Sequence, residues 1–202
     1  ETIRRLIMEV GPKTVDVTLS WENLYAINRK LIDPVANRYF FVHNPRKIIV
    51  KNVLKPVKAE LPLHPDSPER GSRIFEVKPE KGEAVFEIAS QDADLMKIGK
   101  VVRFMGLFNV QIENFQKNVI EALYHSREHE EARKLGAPLI HWLPAEIGIP
   151  CEVVMQDATT VKGVAEEECR QLKTNDVIQF ERFGFVRIDG VDLKITAYFA
   201  HR

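Results

Sequence analysis

The sequence predicts a mainly β protein: two small antiparallel β-barrels preceded by a short helical segment. Three observations carry this. Apolar residues recur at the spacing of a helical face over roughly the first 35 positions, before Gly and Pro stop them. From Ala36 onward they recur at period two in runs rich in Val, Ile and Phe, and Gly, Pro or Asn interrupts those runs about every eight to twelve residues.

The elements follow in order. Ile3, Leu6, Ile7 and Val10 mark one face of a first helix, which Gly11-Pro12 ends. After an extended stretch at Thr14–Leu19, Ser20 is placed to cap a second helix with the stripe Trp21, Leu24, Ile27 and Leu31, closed by Asp33-Pro34. Strands are expected at 39–42, 47–54, 73–77, 84–88, 100–112, 119–125, 138–143, 151–156 and 176–182. Ile112, Phe115, Val119, Ile120 and Leu123 also match helical spacing, but Asn114–Asn118 reads as a turn between strands. The last two strands are expected to form a hairpin. Asp189-Gly190 is its type I′ turn, and Val191, Leu193, Ile195, Ala197 and Phe199 form its buried face.

Composition narrows the function. Lys plus Arg and Asp plus Glu both total 29 in 202 residues, so the net charge is zero and any polyanion surface must be local. The two cysteines, Cys151 and Cys169, and the absence of a signal-like start point to a reducing, cytoplasmic setting. No strictly apolar run exceeds four residues, against the roughly 18 a membrane span needs.

Several patterns invite a chemical reading. His125-Ser126-Arg127-Glu128-His129 has the H-x-x-E-H spacing of inverted zinc proteases, but it lies in a polar stretch with no third ligand in view. Cys151 beside His141 is better explained as a small buried hydrophobe in the run Cys151, Val153, Met155 than as a nucleophile. No glycine pattern cradles a phosphate, and Glu166-Glu167-Glu168 reads as a solvated turn or short helix. We therefore expect no catalytic residue, metal or cofactor site here. The basic side says more. Between Asp33 and Glu60 there is no acid, while Arg38, Arg46, Lys47, Lys51, Lys55 and Lys58 share the segment with Tyr39, Phe40, Phe41 and His43. Cations among planar rings suit single-stranded RNA. An exposed hairpin with ordinary lysines accounts for the composition equally well.

Whole phrases are similar to the C-terminal tRNA-binding part of glutamyl- and glutaminyl-tRNA synthetases of archaeal and eukaryotic style. They are Ser20–Tyr25 through Asp33–Val42, the His64–Arg73 loop with its HP-x-x-P-x-x-GSR pattern, the Gly99–Asn109 strand, Ile140-His141-Trp142, and Val177–Phe185. The resemblance runs over essentially the whole chain in family order. It implies anticodon-binding, ribosomal protein L25-like barrels, roughly 45–140 for one and 37–44 plus 141–202 for the other, behind a stem-contact remnant at 1–36. It further implies a piece of a class I ligase that attaches glutamate to tRNA. ATP and Mg2+ then belong to a catalytic Rossmann half upstream, because the His-x-Gly-His and Lys-Met-Ser-Lys-Ser signatures do not occur here.

By the same resemblance, Arg38, Gln179 and Arg182 match the residues that hold the central anticodon uridine in the glutaminyl relative, and Arg103 joins the anticodon set. Arg46, Lys47, Lys51, Lys55, Lys58 and Arg73 are expected on the RNA backbone. Gln179 and Arg182 are three apart, so sharing a site requires a kink, for which Phe183-Gly184 is available. Two departures matter. Gln91–Lys97 carries Asp92 and Asp94 where the relative has a basic cluster, and Met105 replaces a second arginine. Both suit a protein that tolerates more than one outer base, so the expected partners are tRNA(Glu) and, on that reading, tRNA(Gln). The competing reading is a non-catalytic RNA- or protein-binding β-barrel adaptor.

Overall fold

The computed structural model describes residues 1–14, 16–117 and 119–202. Val15 of the expected Thr14–Leu19 stretch and Asn118 of the expected Asn114–Asn118 turn lie outside the described residues. Helices α1 (Thr2–Val10) and α2 (Trp21–Ile32) form where their stripes place them, and the Ser20 hydroxyl accepts the Asn23 N–H at 3.2 Å as an N-cap. Asn28 and Tyr25 tie α2 to the far end of the chain. Asn28 Nδ2 lies 2.8 Å from His201 Nε2, and the Tyr25 and His201 rings stack at 5.3 Å. No helix among the described residues is long and apolar enough to cross a membrane.

The strands are β1 (Arg38–Tyr39), β2 (Phe41–His43), β3 (Pro45–Lys51), β4 (Val57–Pro62), β5 (Ser72–Val77), β6 (Glu83–Ala89), β7 (Val101–Phe104), β8 (Asn109–Gln116), β9 (Val119–Ser126), β10 (Leu139–Ile140), β11 (Leu143–Pro144), β12 (Ile149–Val154), β13 (Thr160–Ala165), β14 (Val177–Phe180), β15 (Gly184–Val191) and β16 (Ile195–His201). Short helices α3 (Ser90–Asp94) and α4 (His129–Lys134) interrupt them. Among the described residues they make two seven-stranded sheets, β10-β7-β8-β9-β3-β6-β11 and β1-β14-β15-β16-β12-β13-β2, with β4-β5 as a separate ribbon. β11 pairs with β6, so the first sheet reaches residue 144.

In both sheets the two edge strands are consecutive in sequence. Only Phe40 separates β1 from β2, and only His141-Trp142 separates β10 from β11. A chain that crosses from one edge of a sheet to the other within one or two residues forces those edges together, so each sheet curls round and a kinked segment closes the seam. The two seams touch. The Phe40 ring stacks on His141 at 4.5 Å and meets Trp142 edge-on at 6.4 Å. Phe40 and Val42 pack in the core of the first sheet, while Tyr39 and Phe41 pack in that of the second. This explains why 39–42 reads as an uninterrupted apolar run: both faces of the strand are buried, in different cores. Each such fully buried side chain contributes about 1.5–3 kcal/mol.

Gly163, opposite His43 on β13, is needed for this closure. A Cβ there collides with the Val42 carbonyl and lies 2.7 Å from His43 Cα. Gly163→Ala is expected to cost about 1–3 kcal/mol in urea titration. Gly190→Ala, where a Cβ meets nothing within 4 Å, should cost far less.

Three sequence expectations are corrected. The span 100–112 is two strands, because the chain turns at Met105–Leu107 with Gly106 at φ 70°. The terminal hairpin turns at Asp192–Lys194, not at Asp189-Gly190. The register shifts between Ile188 and Gly190, so Asp189 is a bulge within β15, and Leu193 at the tip is 91% exposed. Glu166 is fully buried and not solvated.

Candidate functional site

β1 pairs with β14 in parallel, Arg38 opposite Gln179 and Tyr39 opposite Phe180. Tyr39 and Phe180 point into the core, so Arg38 and Gln179 share the other, half-exposed face. The row continues through Phe185 on β15 to His201 on β16, which leans on α2. Arg38 is fixed at its base by its own N–H, which donates to Leu63 O at 2.7 Å. Its guanidinium lies 3.7 Å from Asp33 and stays 28% exposed. A planar cation and a carboxamide side by side present donors and an acceptor to the edge of a base.

Arg182 sits elsewhere. β14 ends at Phe180, and the chain turns through Glu181–Phe183 with Arg182 itself at φ 60°, one residue before the expected kink. Its guanidinium grips Asp92 of α3 in a bidentate pair at 2.6 and 2.8 Å, linking the two barrels. Phe41, His43, His141 and Phe183 line the narrow cleft beside it, about 40 Å3. Burial lowers the His43 pKa from its usual value and opposes the pull of Asp92.

Two expected RNA contacts are buried instead. Arg73 is 1% exposed; it bonds Glu166 at 2.9 Å and Glu181 at 2.7 Å and lies over the Phe40 ring at 5.0 Å. It is a brace across the second seam, out of reach of a phosphate. Glu166 completes it by accepting the Phe40 N–H at 2.7 Å, and burial pushes this carboxyl up to about 7 against the pull of Arg73. Arg103 is 8% exposed and donates to Asn109 Oδ1 and the Arg127 carbonyl, both at 2.9 Å. In this structure its guanidinium is engaged by these internal acceptors.

The acid-free stretch is not unopposed either, because sheet pairing brings acids from distant parts of the chain. Arg46 pairs with Asp94 at 3.2 Å, Lys47 with Glu146 at 3.9 Å, and Lys51 with Glu121 at 3.2 Å and Glu113 at 3.8 Å. Among the described residues, Lys55 and Lys58 alone of the six have no carboxylate within 4.0 Å. The H-x-x-E-H residues are separated: His125 lies on β9 and pairs with Glu131, while His129 opens α4. Cys151 is buried, with its thiol pushed up to about 12.

Two segments of the chain, residues 36–127 and 139–189, match families described as tRNA synthetases class I (E and Q), anti-codon binding domain. The chain belongs to this group. Relatives of this anticodon-binding domain similar over all of its length include the glutamate–tRNA ligases of Pyrococcus abyssi, 45% identical, Methanopyrus kandleri, 40%, and Methanothermobacter thermautotrophicus, 39%. The chain spans 35%, 35% and 34% of those proteins, about a third of their length. Within the domain, sequence reading missed the Asp92 clamp and the burial of Glu166. An acid in a short polar or acidic stretch gives no sign of its partner, here an arginine distant in the chain.

Proposed function

We propose that this chain is the anticodon-reading part of a glutamate–tRNA ligase and binds tRNA(Glu) through Arg38 and Gln179. The observation that carries the reading is their register pairing on one half-exposed face, since two of the three positions matched to central-uridine contacts in the glutaminyl relative are thereby neighbours. On this reading ligation, with its ATP and magnesium, takes place in the cytoplasm on the rest of the ligase. Catalytic chemistry is not assigned to the described residues.

The test is affinity for a glutamate tRNA transcript and for the same transcript with the central anticodon U replaced. The loss should be tenfold or more, about 1.4 kcal/mol. Arg38→Ala should cost about 1–3 kcal/mol on the cognate transcript and narrow the difference between the two. Equal losses on both would remove Arg38 as a base reader. With Asp92 and Asp94 occupied by Arg182 and Arg46, and Met105 in place of an arginine, C and U at the first anticodon base should bind within a few-fold of each other, and so should C and G at the third, the base by which glutamate and glutamine anticodons differ, which extends the substrate to tRNA(Gln).

A further inference from the structure

A cavity of about 480 Å3 opens at one end of the first sheet, between the β3–β4 loop, the β7–β8 turn and the end of β9. We propose that it holds one unstacked nucleotide of the bound RNA, with the base against Tyr124 and the phosphate on Lys55, Lys58 and Arg127. This rests on the tRNA-binding reading but concerns a different surface from Arg38 and Gln179.

The charges point there first. Lys55 and Lys58 are the two cations of the acid-free stretch left without a carboxylate within 4.0 Å, and Arg127 across the cavity also has none among the described residues. Glu76 lies opposite Lys58 across the β4–β5 ribbon without pairing with it. Three free cations converging on one cavity suit a phosphate.

The walls are apolar and preformed. Phe108, 1% exposed, meets Tyr124 edge-on at 5.4 Å and fixes the plane of a half-buried ring. Leu54 stands at the rim, 83% exposed. The loop that carries Leu54 and Lys55 is pinned by the Val53 N–H donating to Gly82 O at 3.0 Å, and Asn52 turns it at φ 64°. Buried Arg103 holds the Arg127 carbonyl, so the third cation springs from a fixed point. The volume lies in the range of small-molecule sites, and a ring beside cations is how proteins take single-stranded bases.

The experiment compares glutamate-tRNA binding by the chain and three variants, with urea midpoints recorded for each. Lys55→Ala/Arg127→Ala should weaken binding about tenfold and lower the salt slope by about one phosphate contact, roughly 0.7–0.9. Tyr124→Leu should weaken it about fivefold or more, while Tyr124→Phe, which keeps the ring, should bind as the parent does. All should keep the parent preference for the central U. Variants that bind tRNA unchanged while Arg38→Ala still weakens it would overturn the cavity proposal and leave the anticodon reading intact. Binding of AMP or UMP that these substitutions abolish, with tRNA binding unaffected, would assign the cavity to free nucleotides and overturn it equally. Failure of the parent chain to bind tRNA would remove both readings.

Discussion

Arg73→Met is expected to lower the unfolding free energy by about 3–5 kcal/mol at pH 7. Arg73 is among the largest fully buried side chains and its guanidinium is shared between Glu166, fully buried, and Glu181. Removing it leaves Glu166, pushed up to about 7 even beside Arg73, with only the Phe40 N–H, so the carboxyl must take up a proton in the fold that it does not hold at pH 7 when unfolded. The double variant Arg73→Met/Glu166→Gln should recover part of the loss, because the amide needs no counter-charge. Urea titration measures both. A single-variant loss below about 1 kcal/mol, the range of an exposed pair, would mean that the brace contributes nothing beyond its packing.

The second large effect is acid sensitivity from His141. In the unfolded chain this imidazole takes a proton near 6.5, whereas burial, with Arg182 and Arg73 nearby, pushes it down to about 3 in the fold. The folded state then refuses a proton that the unfolded state accepts. The stability from the neutral ring is fully present above pH 6.5 and is lost as pH falls toward 3, at about 1.4 kcal/mol per unit. His141→Phe keeps the stack on Phe40 and removes a ring nitrogen, Nε2, that has no hydrogen-bond partner. Between pH 7.5 and 4.5 the parent should therefore lose about 2–3 kcal/mol more than this variant. Parallel stability curves for the two proteins would show that His141 titrates normally.

The parts legible in the sequence were those set by local chemistry. Ser20 announced its cap, and the period-two runs located most strands, including β9, whose spacing also fitted a helix. β4, at Val57–Pro62, was not read, because its apolar side is only Val57, Ala59 and Leu61, a short alternation with a small central residue between Pro56 and Pro62, although that side packs on the first core. β13 was hidden by Gly163 and Lys162, which are there for close approach and an exposed face. The fate of the arginines was invisible for another reason. Arg38, Arg73 and Arg103 look alike in the chain, yet one is half exposed and two are enclosed, and only long-range pairing decides which. The juxtaposition of Arg38 with Gln179 was legible through family resemblance alone, since the alternation within each strand says nothing of which strand it joins.

The shared seam also limits how the chain can be divided. The two family matches leave a gap at residues 128–138 that looks like a place to separate two modules. It is not one. Everything after that gap lacks β1 and β2, so β14 and β13 would each be left with an open hydrogen-bonding edge, along Gln179 and Gly163 respectively. Everything before it lacks β10 and β11, which exposes β7 and β6 in the same way. Open edges of that kind recruit other chains. The smallest portable unit is therefore both barrels together, and a fusion or deletion that respects the fold must keep residues 38–43 and 139–144 in one polypeptide.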